Sequence, residues 1–137
     1  MALGSIIIYY DGLCAFCNAW VRRLIRWDTR GQFYFATQQG ALFQKLLQAH
    51  PELMDVNSIV IHDQRSSRDN LYIKSEAVLF AFSLLDYPYR FLALLRYLPR
   101  RLRDRGYDLF ARHRYRLFGR YDICPAPPPH QRSRFLD

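Results

Sequence analysis

The segment IIIYYDGLCAFCN, residues 6–18, joins two elements of predicted secondary structure around a Cys-x-x-Cys pair. The apolar run Ile6–Tyr10 predicts a buried strand, and the amphipathic segment from about Cys14 to Trp27 predicts a helix. A pair with this spacing, placed where a strand passes into a helix N-terminus, is typical of a redox motif. Cys14 and Cys17 are therefore the first candidates for chemistry.

The positions of the two thiols on the predicted helix assign them different roles. Unpaired amide N–H groups and the helix dipole favour a thiolate on Cys14, so we expect an exposed, nucleophilic thiol at the helix end. Cys17 shares a helical face with Val21 and Leu24, so we expect it to point into the core. Its role is then to resolve the mixed disulfide formed by Cys14. We expect no bound cofactor, because the cysteine pair itself carries the electrons.

Asp11, in the loop before the cysteine pair, has two interpretations. As a buried carboxylate with a raised pKa, it would accept the proton of Cys17 during resolution. Alternatively, it bonds the amides of Leu13 and Cys14 and shapes the turn, which we favour because Asp stands first in the loop. Gly12 permits a tight backbone there, and it joins Leu13 as a candidate for substrate contact.

The chain has 137 residues, enough for one domain with a real core, since 50% of them are hydrophobic and 16% are aromatic. It has no apolar run of membrane-spanning length, and its first residues lack the pattern of a secretory signal. We therefore expect a cytoplasmic protein, since catalytic dithiols occur in that reducing compartment. The odd count of three cysteines also argues against a disulfide scaffold.

The net charge of +8 comes almost entirely from arginine, much of it in residues 100–120. We assign most of these arginines, Arg114 among them, to the solvent-exposed side of a helix. Such a charge permits non-specific attraction to nucleic acid or anionic membranes, and it is equally compatible with a solvated surface. No known nucleic-acid-binding module is visible, so we expect no specific nucleic-acid partner. An alternative function stays open, in which the arginine-rich helix of a scaffold protein docks an acidic partner.

Hydrophobic periodicity predicts the order strand, helix, strand, helix, strand, strand, helix in a core of about residues 5–86. This α/β order is that of the thioredoxin fold, a three-layer fold with a small mixed sheet between helices. The first two strands should be parallel, since a helix joins them. The elements predicted after the first helix are a strand at 32–37, a helix at 41–49, strands at 58–62 and 70–74, and a helix capped by Ser75.

Residues 87–122 are predicted to add a helical extension to the same domain, which spans residues 1–125. Apolar spacing predicts one helix over 88–98 and another over 99–118. The Pro-rich tail, 126–137, is expected to be mobile. The residues predicted to share the apolar faces are Phe91, Leu94, Leu95 and Leu98 on the first helix, and Leu102, Gly106, Leu109, Phe110, His113 and Leu117 on the second.

Two separated motifs make the chain resemble the DCC family of thiol-disulfide oxidoreductases. The first is YDGLCAFC at residues 10–17, and the second comprises DRGYD at 104–108, RHRYRLFG at 112–119 and DIC at 122–124. The resemblance covers most of the chain and implies a thioredoxin-like fold. It also implies thiol–disulfide exchange with a protein or small-molecule disulfide or thiol as substrate.

The chain departs from the related patterns ahead of its third predicted strand. The DCC family often has an aspartate there, where this chain has Asn57. Thioredoxins have a cis-proline at this place, where this chain has Asn57 or Ser58. Both residues are candidate substrate contacts, since a backbone edge at this point would still pair with a substrate strand.

A metal-binding alternative uses Cys14, Cys17 and Cys124 together with one histidine. The second half of that site is poor, because Cys124 has no Cys or His nearby at zinc-ligand spacing. We therefore assign no metal ligands. Cys124 is either a third redox thiol or, as we favour, a small buried hydrophobic residue.

Overall fold

The computed structural model describes residues 6–55, 58–65, 70–85, 89–120 and 129–136. The strands are β1 (Ile6–Tyr10), β2 (Phe33–Thr37), β3 (Val60–Asp63) and β4 (Asn70–Ile73). The α-helices are α1 (Ala15–Trp27), α2 (Ala41–Ala49), α3 (Lys74–Ser83) and α4 (Arg100–Phe118). Segments of 3₁₀ helix lie at Pro51–Asp55, Tyr89–Tyr97 and Pro129–Arg134.

The strand β1 lies in the interior of a four-stranded sheet with the order β2-β1-β3-β4. It pairs parallel with β2 and antiparallel with β3, and β3 pairs antiparallel with β4. Every residue of β1 is buried because alternate side chains enter two separate cores. Ile6 and Ile8 pack with α1 and α3, whereas Ile7 and Tyr9 pack with α2. The predicted α/β architecture, with helices on both faces of a mixed sheet, is confirmed and is consistent with a thioredoxin-like fold.

The helix α4 packs against α1 and α3 and so lies over the point where β1 passes into α1. Phe16 of α1 anchors this contact. Its ring centroid lies 4.7 Å from that of Phe110 and 4.9 Å from that of Phe118. The C-terminal extension therefore forms part of the surroundings of the cysteine pair.

The side chains that the C-terminal segments expose differ from the prediction. Residues 89–97 form a 3₁₀ segment, and its apolar side chains point largely to solvent. On α4 the buried positions are Ala111 and Arg114, while Phe110 and His113 are half-buried. Apolar spacing predicted a different rotation of α4 about its axis, because that pattern counts only apolar residues and therefore does not include the buried Arg114. The predicted inward residues that are exposed are Phe91, Leu94, Leu95, Leu98, Leu102, Gly106, Leu109 and Leu117. Within the described residues, no helix has the length and apolar content needed to cross a membrane.

Ser75 is not the N-cap of α3, because that helix begins one residue earlier, at Lys74. Lys74 has φ of +54°, and its amide donates to Oγ of Ser58 at 2.6 Å. The hydroxyl of Ser75 instead donates to the carboxylate of Asp104 on α4 at 2.5 Å. A contact between two helices has therefore replaced the predicted local cap.

The last described segment, residues 129–136, packs against the core, whereas the sequence predicted a mobile tail over residues 126–137; the mobility of that tail stays a prediction. Arg134 pairs with Asp28 at 2.5 Å, and the carboxylate of Asp28 is fully buried. The ring centroid of Phe135 lies 5.6 Å from that of Phe35 on β2. Arg134 also donates to the carbonyl of Phe33, and the amide of Leu136 donates to the carbonyl of Phe35 at 2.8 Å. Ionic, aromatic and hydrogen-bond contacts thus hold a segment whose composition alone indicated mobility.

We predict that Arg134→Met lowers the free energy of unfolding by about 3 kcal/mol, because the buried carboxylate of Asp28 loses its cation. Arg132→Met is the matched control. Arg132 is exposed on the same segment, so its replacement should change stability by less than about 0.5 kcal/mol. Urea denaturation measures both variants, and equal stabilities for the two would contradict the packing of this segment.

Candidate active site

The two cysteines lie side by side at the N-terminus of α1. Cys14 is the N-cap residue in an extended conformation, and Cys17 occupies the first turn. They approach each other to 3.3 Å, and both are free thiols. The amide of Cys17 donates to Sγ of Cys14 at 3.4 Å, so this sulfur caps the helix as a serine hydroxyl would. A disulfide between neighbours so placed requires little backbone movement.

Both thiols are buried, which corrects the prediction of an exposed Cys14. The exposed fraction is 0% for Cys14 and 8% for Cys17, which points inward as expected. The backbone just after α4 covers Cys14. The amide of Ala15 donates to the carbonyl of Gly119 at 3.3 Å, and Cys14 forms an isolated antiparallel bridge with Arg120. The sequence around Cys14 could not predict this contact, because the covering residues, Gly119 and Arg120, lie near the other end of the chain.

The pKa values of the two thiols are shifted in opposite directions. A hydrogen bond from the Cys17 thiol lowers the pKa of Cys14 to about 6; burial opposes this shift, and the Cys17 amide and the charge of Arg114 support it. The same hydrogen bond raises the pKa of Cys17, and burial and the Cys14 charge act in the same direction. These shifts favour the thiolate on Cys14 over a thiolate on Cys17.

The carboxylate of Asp11 shapes the loop before α1. Its Oδ1 accepts from the amide of Leu13 at 3.0 Å, and the amide of Cys14 donates to the main-chain carbonyl of Asp11 at 3.2 Å. Burial raises the pKa of Asp11, but hydrogen bonds from Tyr115 and Arg114 outweigh this effect and hold it below its usual value. The geometry thus agrees with the favoured turn role and differs from a carboxyl group with a raised pKa.

Two amide side chains that the sequence analysis missed hold this loop. Gln39 donates from Nε2 to Oδ1 of Asp11 and accepts the amide of Gly12 at Oε1, each at 3.0 Å. Asn18 donates from Nδ2 to the carbonyls of Gly12 at 2.8 Å and Cys14 at 2.9 Å. The position of Asn18 directly after the cysteine pair was a usable signal, whereas nothing local marks Gln39.

Arg114 is the residue of the site that the sequence analysis placed wrongly, on the solvent-exposed side of α4. Its side chain is buried, and Nη2 donates to Oδ2 of Asp11 at 2.8 Å. The hydroxyl of Tyr115 donates to the same oxygen. The helical spacing of Tyr107, Ala111 and Arg114 was a signal, but an arginine in that series looks like a surface residue until its carboxylate partner is known.

Ser58 lies just before β3, where a pairing edge was expected, but its carbonyl and the amide of Ile59 are already bonded. The carbonyl of Ser58 accepts from Nε2 of Gln38 at 2.6 Å, and the amide of Ile59 donates to the hydroxyl of Tyr107 at 3.1 Å. A substrate strand would have to displace both bonds. The neighbouring candidate, Asn57, lies outside the described residues.

A cavity of about 360 Å³ opens beside Cys17, between α1, α3 and α4. Its lining includes Ser58, and it does not include Gly12 or Leu13. Of the described residues predicted to contact substrate, Ser58 is therefore brought to the same space as Cys17. Gly12 and Leu13 take part in the hydrogen bonds of the loop, and their contact with substrate stays a prediction.

No group of three or more His, Cys, Asp or Glu among the described residues is arranged to hold a metal ion. Cys124, which the metal-binding alternative requires, lies outside the described residues. That alternative therefore stays a hypothesis from the sequence.

We predict that Arg114→Met lowers the free energy of unfolding by about 3 kcal/mol, because it leaves the Asp11 carboxylate buried without its cation. Adding Asp11→Asn should recover part of this loss, since the uncompensated charge is then removed. Arg112→Met, at an exposed position of α4, is the matched control and should change stability by less than about 0.5 kcal/mol. Urea denaturation of the single and double variants gives the coupling energy, and additive effects would argue against the ion pair.

Comparison with known proteins identifies the family of this chain. A family model for DCC1-like thiol-disulfide oxidoreductase matches residues 8–120. The chain is 31% identical over 132 residues to the uncharacterized protein YuxK of Bacillus subtilis (strain 168), which covers 95% of this chain and 93% of that relative. It is 35% identical over 120 residues to the chloroplastic DCC family protein At1g52590 of Arabidopsis thaliana, which covers 86% of this chain and 67% of that relative. No solved structure matches the chain. Because the family model matches most of the chain, including the cysteine pair and Arg114, the chain belongs to the DCC1-like thiol-disulfide oxidoreductase family.

Proposed function

We propose that the protein catalyses thiol–disulfide exchange with its own cysteine pair and without a bound cofactor. In this proposal Cys14 is the nucleophile and Cys17 is the resolving thiol. Membership of the family supports the class of activity. The observation that carries the finer assignment is the hydrogen bond from the Cys17 thiol, which lowers the pKa of Cys14 and so favours the thiolate there.

The exchange proceeds through two substitutions at sulfur. In the reducing direction, the Cys14 thiolate attacks a substrate disulfide, forms a mixed disulfide and releases one substrate thiolate. Cys17 then loses its proton and attacks the sulfur of Cys14, which breaks the mixed disulfide and releases the second substrate thiolate. Two electrons pass from the cysteine pair to the substrate, whose two sulfurs each take up a proton. The reverse sequence oxidises a substrate dithiol.

The first substitution removes the negative charge on Cys14 that raises the pKa of Cys17. While Cys14 is a thiolate, its hydrogen bond and charge raise the pKa of Cys17. In the mixed disulfide the sulfur of Cys14 is neutral, so Cys17 ionises more easily at the step that requires its thiolate. The charge of Arg114 favours that thiolate, and the charge of Asp11 opposes it. We therefore assign Asp11 to positioning the loop, with its charge offset by Arg114.

The cover over Cys14 sets a condition on substrate entry. A substrate disulfide reaches Cys14 only from the side of Cys17 or after the contact of Gly119 and Arg120 with residues 14–15 has opened. One isolated bridge holds that contact, and the hydrogen bond from the amide of Ala15 to the carbonyl of Gly119 is part of it. Local opening of so small a contact costs much less than global unfolding.

In the scaffold alternative, fewer arginines of α4 remain to bind an acidic partner than the sequence indicated. Three arginines of α4 form ion pairs within the described part of the protein. Arg100 pairs with Asp104 at 3.6 Å, Arg103 with Glu76 at 3.2 Å and Arg114 with Asp11 at 2.8 Å. Docking of an acidic partner by the exposed arginines of α4 stays a prediction, as does a cytoplasmic location. The relative from Arabidopsis thaliana is named as chloroplastic.

We predict that Cys17→Ser accumulates a covalent adduct through Cys14, because serine keeps the size of the side chain and removes the resolving sulfur. Cys14→Ser should give no such adduct, and Cys124→Ser should leave trapping in the Cys17→Ser background unchanged. Non-reducing electrophoresis and mass spectrometry of each variant expressed in its own cells give the result. Adducts on Cys17 would reverse the two roles. No adduct in any variant, with no turnover of a small disulfide by the wild type, would favour the scaffold alternative.

We predict that the rate of Cys14 alkylation by iodoacetamide rises with pH around a midpoint near 6, the lowered pKa of this thiol. The rate should level off above about pH 7, where nearly all of Cys14 is thiolate. Arg114→Met should move the midpoint upward, because the thiolate loses a nearby positive charge, and Arg112→Met should not. Peptide-resolved mass spectrometry separates Cys14 from the other cysteines. A wild-type midpoint near that of a free thiol, about 8.5, is the contrary result.

A further inference from the structure

The exchange steps described above make no use of the cavity beside Cys17. This cavity measures about 360 Å³, which lies within the range of about 300–1,000 Å³ that is typical of small-molecule pockets. It is bounded by helices of both the core and the C-terminal extension. The space therefore suits a small molecule placed against the cysteine pair.

The cavity walls are mainly apolar. Phe16 and Trp20 project into it from α1, Val78 from α3, and Phe110 from α4. Aromatic rings of this kind bind flat or branched apolar groups through dispersion and area burial. The walls thus select for an apolar substituent.

The two charged residues of the lining, Asp11 and Arg114, form an ion pair with each other. Arg114 donates to Asp11 at 2.8 Å within the protein. A charged ligand entering this space would lose its hydration without gaining a counter-ion, which costs several kcal/mol on the scale of buried, unpaired ions. The lining therefore favours a neutral ligand.

The bonded backbone at the start of β3 disfavours an extended peptide as the ligand. The carbonyl of Ser58 and the amide of Ile59 have partners in Gln38 and Tyr107. Tyr107 also lines the cavity, so its hydroxyl closes the edge at which a substrate strand was expected to pair. Side-chain-sized groups can enter without breaking these bonds.

We propose that the substrate is a small, neutral disulfide whose apolar substituent, aromatic or branched aliphatic, occupies this cavity. The proposal rests on the proposed exchange function for its chemistry. Cys17 lines the cavity, and Cys14 lies 3.3 Å from Cys17. A disulfide bound in the cavity therefore lies against Cys17 and approaches Cys14 from the side of Cys17. The cysteine pair supplies two electrons and the proton of Cys17, and solvent supplies the second proton. The Cys14–Cys17 disulfide forms, and the substrate disulfide is cleaved to two thiols.

Binding can be measured without chemistry by the fluorescence of Trp20 in the cavity wall. The chain has two tryptophans, so Trp27→Phe leaves Trp20 as the reporter. Replacing Cys14, Cys17 and Cys124 with serine removes all three thiols and so prevents exchange. Titration with diphenyl disulfide should quench Trp20 with saturation. Cystamine, a dication, and 3,3′-dithiodipropionate, a dianion, should bind at least about tenfold more weakly, a difference of about 1.4 kcal/mol.

Cavity-filling variants locate the binding. Ala111 lines the cavity from α4, and Ala111→Leu should weaken diphenyl disulfide about tenfold by occupying the space. Ala41→Leu is the matched control, since it makes the same change at an exposed helix position and should leave affinity unchanged. Val78→Leu fills the cavity from α3 and should act like Ala111→Leu, so a folding defect in one variant does not decide the result.

Saturable binding of the neutral disulfide that both filling variants weaken supports the proposal. Equal affinity for neutral and charged disulfides, no effect of the filling variants, or tighter binding of an extended peptide disulfide would overturn it. This assay contains neither cysteine of the pair, so its outcome is independent of exchange. Failure of the wild type to reduce any of these disulfides counts against the proposed function alone.

Discussion

The buried ion pair between Asp11 and Arg114 is the constraint on which the rest of the structure depends. It joins the loop ahead of the cysteine pair to the long C-terminal helix, which is far away in the chain. The buried carboxylate of Asp11 requires a cation, and Arg114 supplies it because α4 is rotated with this side chain facing inward. The leucines of α4 that apolar spacing assigned to the core consequently face solvent. The rotation of α4 that buries Arg114 thus leaves these leucines exposed.

The same ion pair sets the electrostatics around the two sulfurs. The loop requires a carboxylate at Asp11 to bond the Leu13 amide, but a lone negative charge there would oppose a thiolate nearby. Arg114 offsets that charge, and its own field lowers the pKa of Cys14. Shape and reactivity of the loop are therefore joined through one guanidinium group. The hydroxyl of Tyr115 on the same carboxylate oxygen strengthens this arrangement.

The C-terminal extension determines how the cysteine pair meets its surroundings. Its helix forms one wall of the apolar cavity, and the residues after the helix cover Cys14. Tyr107 bonds the amide of Ile59 at the start of β3. Cys17 therefore borders an apolar cavity that the core and the extension form together.

By itself, the sequence determined the order of strands and helices through β4 and α3, the place of the Cys-x-x-Cys pair and the family. Those features follow from periodicities of two and 3.6 residues and from short motifs, which are local signals. Only the tertiary structure decided that Cys14 is covered, that Arg114 is buried, that Gln39 holds the loop and that residues 129–136 pack on β2. Each of these depends on a partner distant in the chain. The burial of Arg114 and the cover over Cys14 both depend on contacts between segments that are distant in sequence, which local patterns do not contain.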